Sequence, residues 1–135
     1  MSDDIETVVR RYYAAVAALD VPEEVVQALL APDLRVVEHP NPITPLGAVR
    51  TRAEVLDALR AGRGLLAEQR FDVHEVVEVG DRAAARVTWT GVVGTDRGPL
   101  TAGTTLTAEV ASFLTVRDGC IAEQETFDCY APFGA

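Results

Sequence analysis

Few side chains in this 135-residue sequence can carry a proton near neutral pH. There are two histidines, His39 and His74, and two cysteines, Cys120 and Cys129. All 12 basic residues are arginine, so Schiff-base catalysis and lysine-dependent phosphate loops are excluded. No CxxC pair is present, and two imidazoles do not make a zinc pattern. No phosphate loop, dinucleotide glycine fingerprint, GxSxG elbow or metal triad occurs. The chemistry open to the chain is therefore acid–base work by its own side chains, expected without cofactor or metal. Asp128 lies in FDCY, flanked by Phe127 and Tyr130. A carboxylate desolvated among aromatics gains a raised pKa and becomes a usable acid or base. The plain alternative is a structural acceptor for hydrogen bonds from the 40–47 loop. His39, in VEHP, is a proton shuttle by type, or a loop histidine that caps a backbone group or meets solvent. Tyr12 can donate a hydrogen bond to developing negative charge, or to a backbone carbonyl in an ordinary core. Asn41 can donate to a ligand oxygen or form a turn after Pro40.

The elements that must position these groups follow from periodicity. Asp3 and Glu6 resemble a capping box, and Ile5, Val8, Val9, Tyr12, Val16 and Leu19 then recur at helical spacing to about Leu19. Asp20 and Pro22 open a second helix with Val25, Val26, Leu29 and Leu30 on its buried stripe, ended by Pro32. A short strand is expected over 35–38, then a stiff loop over 39–47 with three prolines. Thr51 and Glu54 form a second capping box. The helix they open carries Val55, Leu56 and Leu59 and loosens near Gly62 and Gly64.

From Gln69 the period becomes two. Strands are expected over about 69–79, 82–93, 101–117 and 120–130, with hairpin turns at Gly80-Asp81 and Asp118-Gly119. In the last strand Ala122, Gln124, Thr126, Asp128 and Tyr130 share one face. Helices first and long strands after predict an α+β domain, with three N-terminal helices packed on a strongly bent antiparallel sheet.

Composition sets the outer bounds. Hydrophobic residues make up 48% and charged residues 24%, an ordinary globular balance that excludes disorder. The length supports one core, hence a single domain over 1–135. Twelve basic against 21 acidic residues give a net charge of −9, which disfavours nucleic acid and anionic membranes as partners. No apolar run approaches the roughly 20 residues of a membrane helix, and the acidic N-terminus lacks a signal-peptide layout. A cytoplasmic location with reduced thiols is expected. Cys120 and Cys129 lie nine apart on one strand, too far to bridge.

Four segments carry a resemblance that spans Thr7 to Phe133. They are VVRRYYAAVAALD, RVVEHPNPITPLGAVRTRAEV, RVTWTG and ASFLTVRDGCIAEQETFDCYAPF. Their form, PNPxTPxG, WxG and RDGxI followed by aromatic-Asp-Cys, is similar to bacterial members of the nuclear transport factor 2-like superfamily. The branch is the SnoaL-like one, which also holds ketosteroid isomerases, epoxide hydrolases and polyketide cyclases. The resemblance implies a cone-shaped α+β barrel, in which the curved sheet wraps the helices around an apolar cavity. It places Tyr12 where the isomerases carry an enolate-stabilising tyrosine. It places His39 where their V-E-D-P pattern carries a general base, with Glu38 on the opposite face of its strand. It turns the Asp128 face toward the pocket with Gln124 and Tyr130. The isomerases' second oxyanion donor, a protonated Asp, matches Ala111, so half of that oxyanion hole is absent; Glu109 is a partial substitute or a rim residue. Phe113 is expected in the cavity wall, and Trp89 in the wall or a dimer interface, with core packing as the plain alternative for each. Arg86, if inward, would imply an anionic substrate or a paired Asp.

The reading is a cofactor-independent acid–base enzyme of isomerase, cyclase or hydrolase type, acting on a small hydrophobic molecule. The alternative is a non-catalytic small-molecule-binding or structural module of the same fold. A homodimer through the outer face of the sheet is expected by the same resemblance. Asp128 discriminates: inside the cavity with a raised pKa and a second titratable group it favours an enzyme, and saturated by loop amides it favours binding or structure.

Overall fold

The computed structural model describes residues 4–132; Asp3 and Phe133 lie outside them. The first helix, α1 (Ile5–Ala17), is capped by Asp4, whose side chain accepts from the Thr7 N–H. Its apolar stripe buries Val8, Val9, Tyr12 and Tyr13. The second, α2, is short (Glu23–Gln27), because the chain already turns to strand at Leu30. The expected stop at Pro32 instead falls inside β1 (Leu30–Glu38), where the register to its neighbour is irregular. Pro cannot donate to a ladder, and such irregular places are where strands tolerate it.

The strand β2 (Ala48–Arg50) was not foreseen, being three residues long. The third helix, α3 (Arg52–Leu65), opens on the complete Thr51/Glu54 capping box and runs through Gly62 and Gly64 without breaking. The long strands follow: β3 (Leu66–Val79), β4 (Arg82–Val93), β5 (Thr105–Arg117) and β6 (Cys120–Tyr130).

These form one six-stranded curved sheet in the order β2-β1-β6-β5-β4-β3, with the helices packed on one side. The sheet is not closed, so the barrel is an open one. All pairings are antiparallel except β1 with β6, which is parallel. β1 lies between β2 and β6, so an early strand of the chain pairs with its last one.

Strand faces follow alternation, with parity changing where the ladders shift register, in β3 after Val73 and in β6 between Ile121 and Ala122. On β5, Leu106, Ala108, Val110, Ser112, Leu114 and Val116 are buried, and Phe113 between them is exposed. On β3, Phe71 and Val73 pack on the core, then Val76, while Val77 and Val79 face solvent. A register shift between Val73 and Glu75 exchanges the faces; a bulge adds one residue, and one residue swaps inward for outward. Both cysteines are free, in line with their spacing.

Candidate functional site

A cavity of about 710 Å³ lies between the inner face of the sheet, α1, α3 and two loops, 39–47 and 94–104. Its walls are largely apolar, including Val16, Leu59, Leu66, Phe71 and Leu106. A concave apolar space of this size with few polar groups is the usual form of a small-molecule site. Trp89 forms part of the wall, and its Nε1–H donates to Gln69 Oε1 at 2.9 Å. Gln69 in turn donates to the Val16 carbonyl at 3.0 Å. A Cβ on Gly91 would lie 2.6 Å from the Trp89 ring, so only glycine leaves room for the indole.

The polar groups converge at the β1–β6 junction. Glu38 pairs with Thr126 in register, and Asp128 stands two residues further along the same face of β6. Both carboxyl groups line the cavity. Their environments drive them apart. Burial pushes the Glu38 pKa up, but hydrogen bonds from Asn41, Arg50 and Thr44 and the Arg50 charge outweigh it, and the group is held below its ordinary value. Arg50 donates to Oε1 at 2.6 Å and Asn41 to Oε2 at 2.7 Å. Burial pushes Asp128 up, and the neighbouring Glu38 charge adds to this; only the Thr126 hydroxyl, at 3.3 Å, works against it. One carboxyl group is thus favoured in its ionised form, and the other is shifted toward its protonated form. A pair of carboxyl groups pushed apart in this way is the usual layout of acid–base sites. Tyr130, beside them, is raised by burial and by both carboxylates, and packs edge-on against Trp89.

A second polar group lies on the cavity floor. The Tyr12 hydroxyl donates to Gln124 Oε1 at 2.9 Å, and Gln124 Nε2 donates to the Tyr13 hydroxyl at 3.3 Å and to Ser112 Oγ at 3.1 Å. Burial raises Tyr12 above the ordinary phenol range. Tyr13 is pushed up to about 12, mainly by burial, with Asp128 adding and the Ser112 and Gln124 bonds opposing. Gln124 donates to the Tyr13 oxygen, so that bond leaves the Tyr13 proton for another acceptor. The Tyr12 proton is committed to Gln124.

Several sequence expectations are corrected. His39 does not face the cavity. Its backbone N–H donates to the Thr126 carbonyl, which turns the side chain to the outer face of the sheet. There Nε2 lies 2.7 Å from Glu125 and the ring stacks on Phe127 at 4.1 Å. Glu38 takes the inward position, as parity demands, because buried Val36 stands two residues before it. Asn41 is buried but fully engaged: it donates to Glu38 and the His39 carbonyl and accepts from the Ile43 and Thr44 N–H groups. It shapes the loop and holds Glu38, and it is not among the cavity walls. Phe113 is on the outer face, edge-on to Phe127. Ala111 and Glu109 also face outward, so the match to an oxyanion-hole Asp does not hold at that position. Glu109 accepts from Thr88, which contacts His74. Arg86 is exposed, 3.9 Å from Glu75.

Tyr12, Trp89, Gln124, Asp128 and Tyr130 do line the cavity. Two residues were missed. Tyr13, one step round α1 from Tyr12, is also buried, because β6 and Phe71 flank the helix on that side. Glu38 carried a readable signal in its spacing from Val36. Among the described residues no cluster of three or more His, Cys, Asp or Glu side chains is placed to hold a metal, and no helix is long and apolar enough to cross a membrane.

The sequence profile of the SnoaL-like domain matches residues 9–124. Comparison with curated proteins finds no match. Among solved structures, the fold is similar to IdmH, a putative polyketide cyclase from Streptomyces antibioticus. The TM-score is 0.76 at 23% identity, over 91% of this chain and 90% of that one. It is also similar to AclR, a putative hydroxylase from Streptomyces galilaeus, with TM-score 0.73, 17% identity and coverage of 91% and 86%. A third likeness is to an LEH-like epoxide hydrolase of M. tuberculosis, with TM-score 0.68, 18% identity and coverage of 90% and 80%.

Proposed function

The chain belongs to the SnoaL-like domain family, and from that premise we propose that it is an acid–base enzyme acting on a small hydrophobic molecule, with Asp128 as the proton carrier. The observation that carries this is the pairing of two inward carboxyl groups with opposite shifts, Glu38 held down and Asp128 pushed up. A binding module gains nothing from a half-desolvated carboxylate beside a second one, and a structural acceptor would have its oxygens filled by loop amides. Asp128 instead accepts from a side-chain hydroxyl, that of Thr126 on its own strand. The activities in the names of the similar structures, cyclase, hydroxylase and epoxide hydrolase, all concern small organic molecules, which accords with this reading.

The step open to these residues is proton transfer next to a carbonyl. Ionised Asp128 takes a proton from the carbon beside the carbonyl; the C–H bonding pair moves to the carbonyl oxygen as an enolate. The Tyr13 hydroxyl donates a hydrogen bond to that oxygen. Asp128 then returns its proton to carbon, at the same or another position, and the electrons come back. The ionised Glu38 favours this cycle, because its charge makes Asp128 a stronger base.

The test is a proton-exchange screen in deuterated water with enones, polyketide-like diketones and epoxides. Asp128→Asn keeps the fold and lowers turnover by about two or more powers of ten, the scale of a general base. Unchanged turnover in that variant overturns the proposal. Ligand binding with no exchange in the native chain would leave a binding module.

A further inference from the structure

Arg97 is the one cation among the described residues that line the cavity. Among the described residues its guanidinium has no hydrogen-bond or ion-pair partner. Most other arginines of this acidic chain are spoken for: Arg10, Arg50, Arg60, Arg70, Arg86 and Arg117 each face a carboxylate. What sets Arg97 apart is its place: it is an arginine without a carboxylate partner that stands on the cavity wall.

Its position is built. The 94–104 loop is fastened at its base, where the Gly94 N–H donates to the Leu65 carbonyl at 2.7 Å and the Gly103 N–H to the Val93 carbonyl at 2.7 Å. At its tip Arg97 and Leu100 exchange backbone hydrogen bonds of 2.7 and 2.9 Å around Gly98, which has a φ of +55°. Asp96, the nearest carboxylate in sequence, accepts from the Ala102 N–H at 2.8 Å and braces the loop. The turn thus presents Arg97 at the mouth. The carboxyl pair lies elsewhere: the loop rejoins β5 at Thr105, and Asp128 pairs with Val110, five residues on. At about 3.4 Å per residue this sets the two ends roughly 17 Å apart along the strand, before the arginine side chain reaches in.

We propose that Arg97 is the anion-reading residue of this cavity, and that the molecule taken is amphipathic, with an apolar body and one anionic head group, a carboxylate in the simplest case, at the mouth. This rests on the reading of the cavity as a small-molecule site. A guanidinium fork matches a carboxylate in two parallel hydrogen bonds. The inner end presents two carboxyl groups, Glu38 and Asp128, and among the described residues no cation on its wall, so the head group is favoured at the mouth and the molecule enters in one orientation. Attraction at the mouth and none inside together fix which carbon meets Asp128.

The experiment uses two probes of matched shape, anionic 8-anilinonaphthalene-1-sulfonate and neutral N-phenyl-1-naphthylamine. Binding is read by quenching of Trp89, the single tryptophan of the chain and part of the cavity wall. Arg97→Gln is expected to weaken the anionic probe about three- to tenfold, leaving the neutral probe within about twofold. Arg97→Lys should keep most of the difference, and added salt should weaken only the anionic probe in the native chain. Arg86→Gln, on the outer face, should change neither. Equal weakening of both probes by Arg97→Gln, no weakening of either, or failure of the sulfonate to bind the native chain overturns the proposal. Proton exchange in Asp128→Asn is measured without these probes, so this inference and the acid–base reading fail separately.

Discussion

Asp128 carries a cost in stability that follows from its chemistry. Its folded pKa lies above its ordinary value of 3.8, so the folded state prefers the protonated form. The stability this group contributes is complete below its ordinary value and is lost as pH rises through the raised one. Asp128→Asn removes the penalty. The variant is therefore expected to melt above the native chain at pH 8, by a margin that shrinks as pH falls toward 4; equal melting at both pH values would count against a desolvated carboxylate. Activity should show the reverse: it rises with pH on an acid limb displaced above the ordinary carboxylate range, as Asp128 ionises into its basic form. The two tyrosines separate as cleanly. Tyr13→Phe removes a hydroxyl whose proton the Gln124 bond leaves for another acceptor, and kcat should drop by about one to two powers of ten with KM little changed. Tyr12→Phe leaves the buried Gln124 Oε1 without its donor, and should lower stability by about 1–3 kcal/mol. If the two variants behave alike in kcat, the assignment of Tyr13 as the donor fails.

At the scale of elements, the site depends on a loop whose order comes from one side chain. Asn41 joins four groups, two from Glu38 and His39 and two from the turn at 43–44. Gly47 closes the same loop with a φ of +70°, where a Cβ would lie 2.8 Å from the Glu38 carbonyl. Asn41→Ala should cost about 2–4 kcal/mol in chemical denaturation, because several buried groups lose partners together. It should also bring the Glu38 pKa back up, since the Asn41 donor helps to hold it down. A loss under about 0.5 kcal/mol would mean that the prolines alone order the loop. This is also where sequence and structure parted. The long strands and the two hairpin turns were legible, because alternation and Gly-Asp signals are local. The capping box at Thr51 was legible for the same reason. The inward turn of Glu38 was not read, because resemblance drew attention to His39, one residue on, and a one-residue error reverses a strand's faces. The parity change at His74, the shortness of α2 and the parallel β1–β6 pair arise from tertiary contacts that no local pattern reports.

At the scale of the whole molecule, the outer face of the sheet leaves apolar side chains uncovered. The outer face of the sheet exposes Phe113 at 44% and Phe127 at 39%, with Val77 and Val79 on the β3 side. Phe127 sits between the Phe113 ring at 6.0 Å and the His39 ring at 4.1 Å, so three rings form one cluster. Rings arranged edge-on and stacked in solvent are costly to leave wet, and aromatic clusters of this kind mark association surfaces. Around them lie Arg35, Arg82, Glu123 and Glu125. That ring of both signs can complement a copy of itself turned by a twofold axis, as a self-complementary patch must. A standard interface takes roughly 800 Å² per partner, about a tenth of the 7514 Å² of this chain. The expected outcome is sedimentation at twice the chain mass at micromolar concentration. Phe113→Glu should return the protein to the mass of a single chain while its melting remains cooperative, because the side chain is exposed and leaves the core untouched. Its affinity for N-phenyl-1-naphthylamine should stay unchanged, since the cavity opens on the other side of the sheet. A native chain that sediments as a monomer at tens of micromolar would remove the second copy as the occupant of this face.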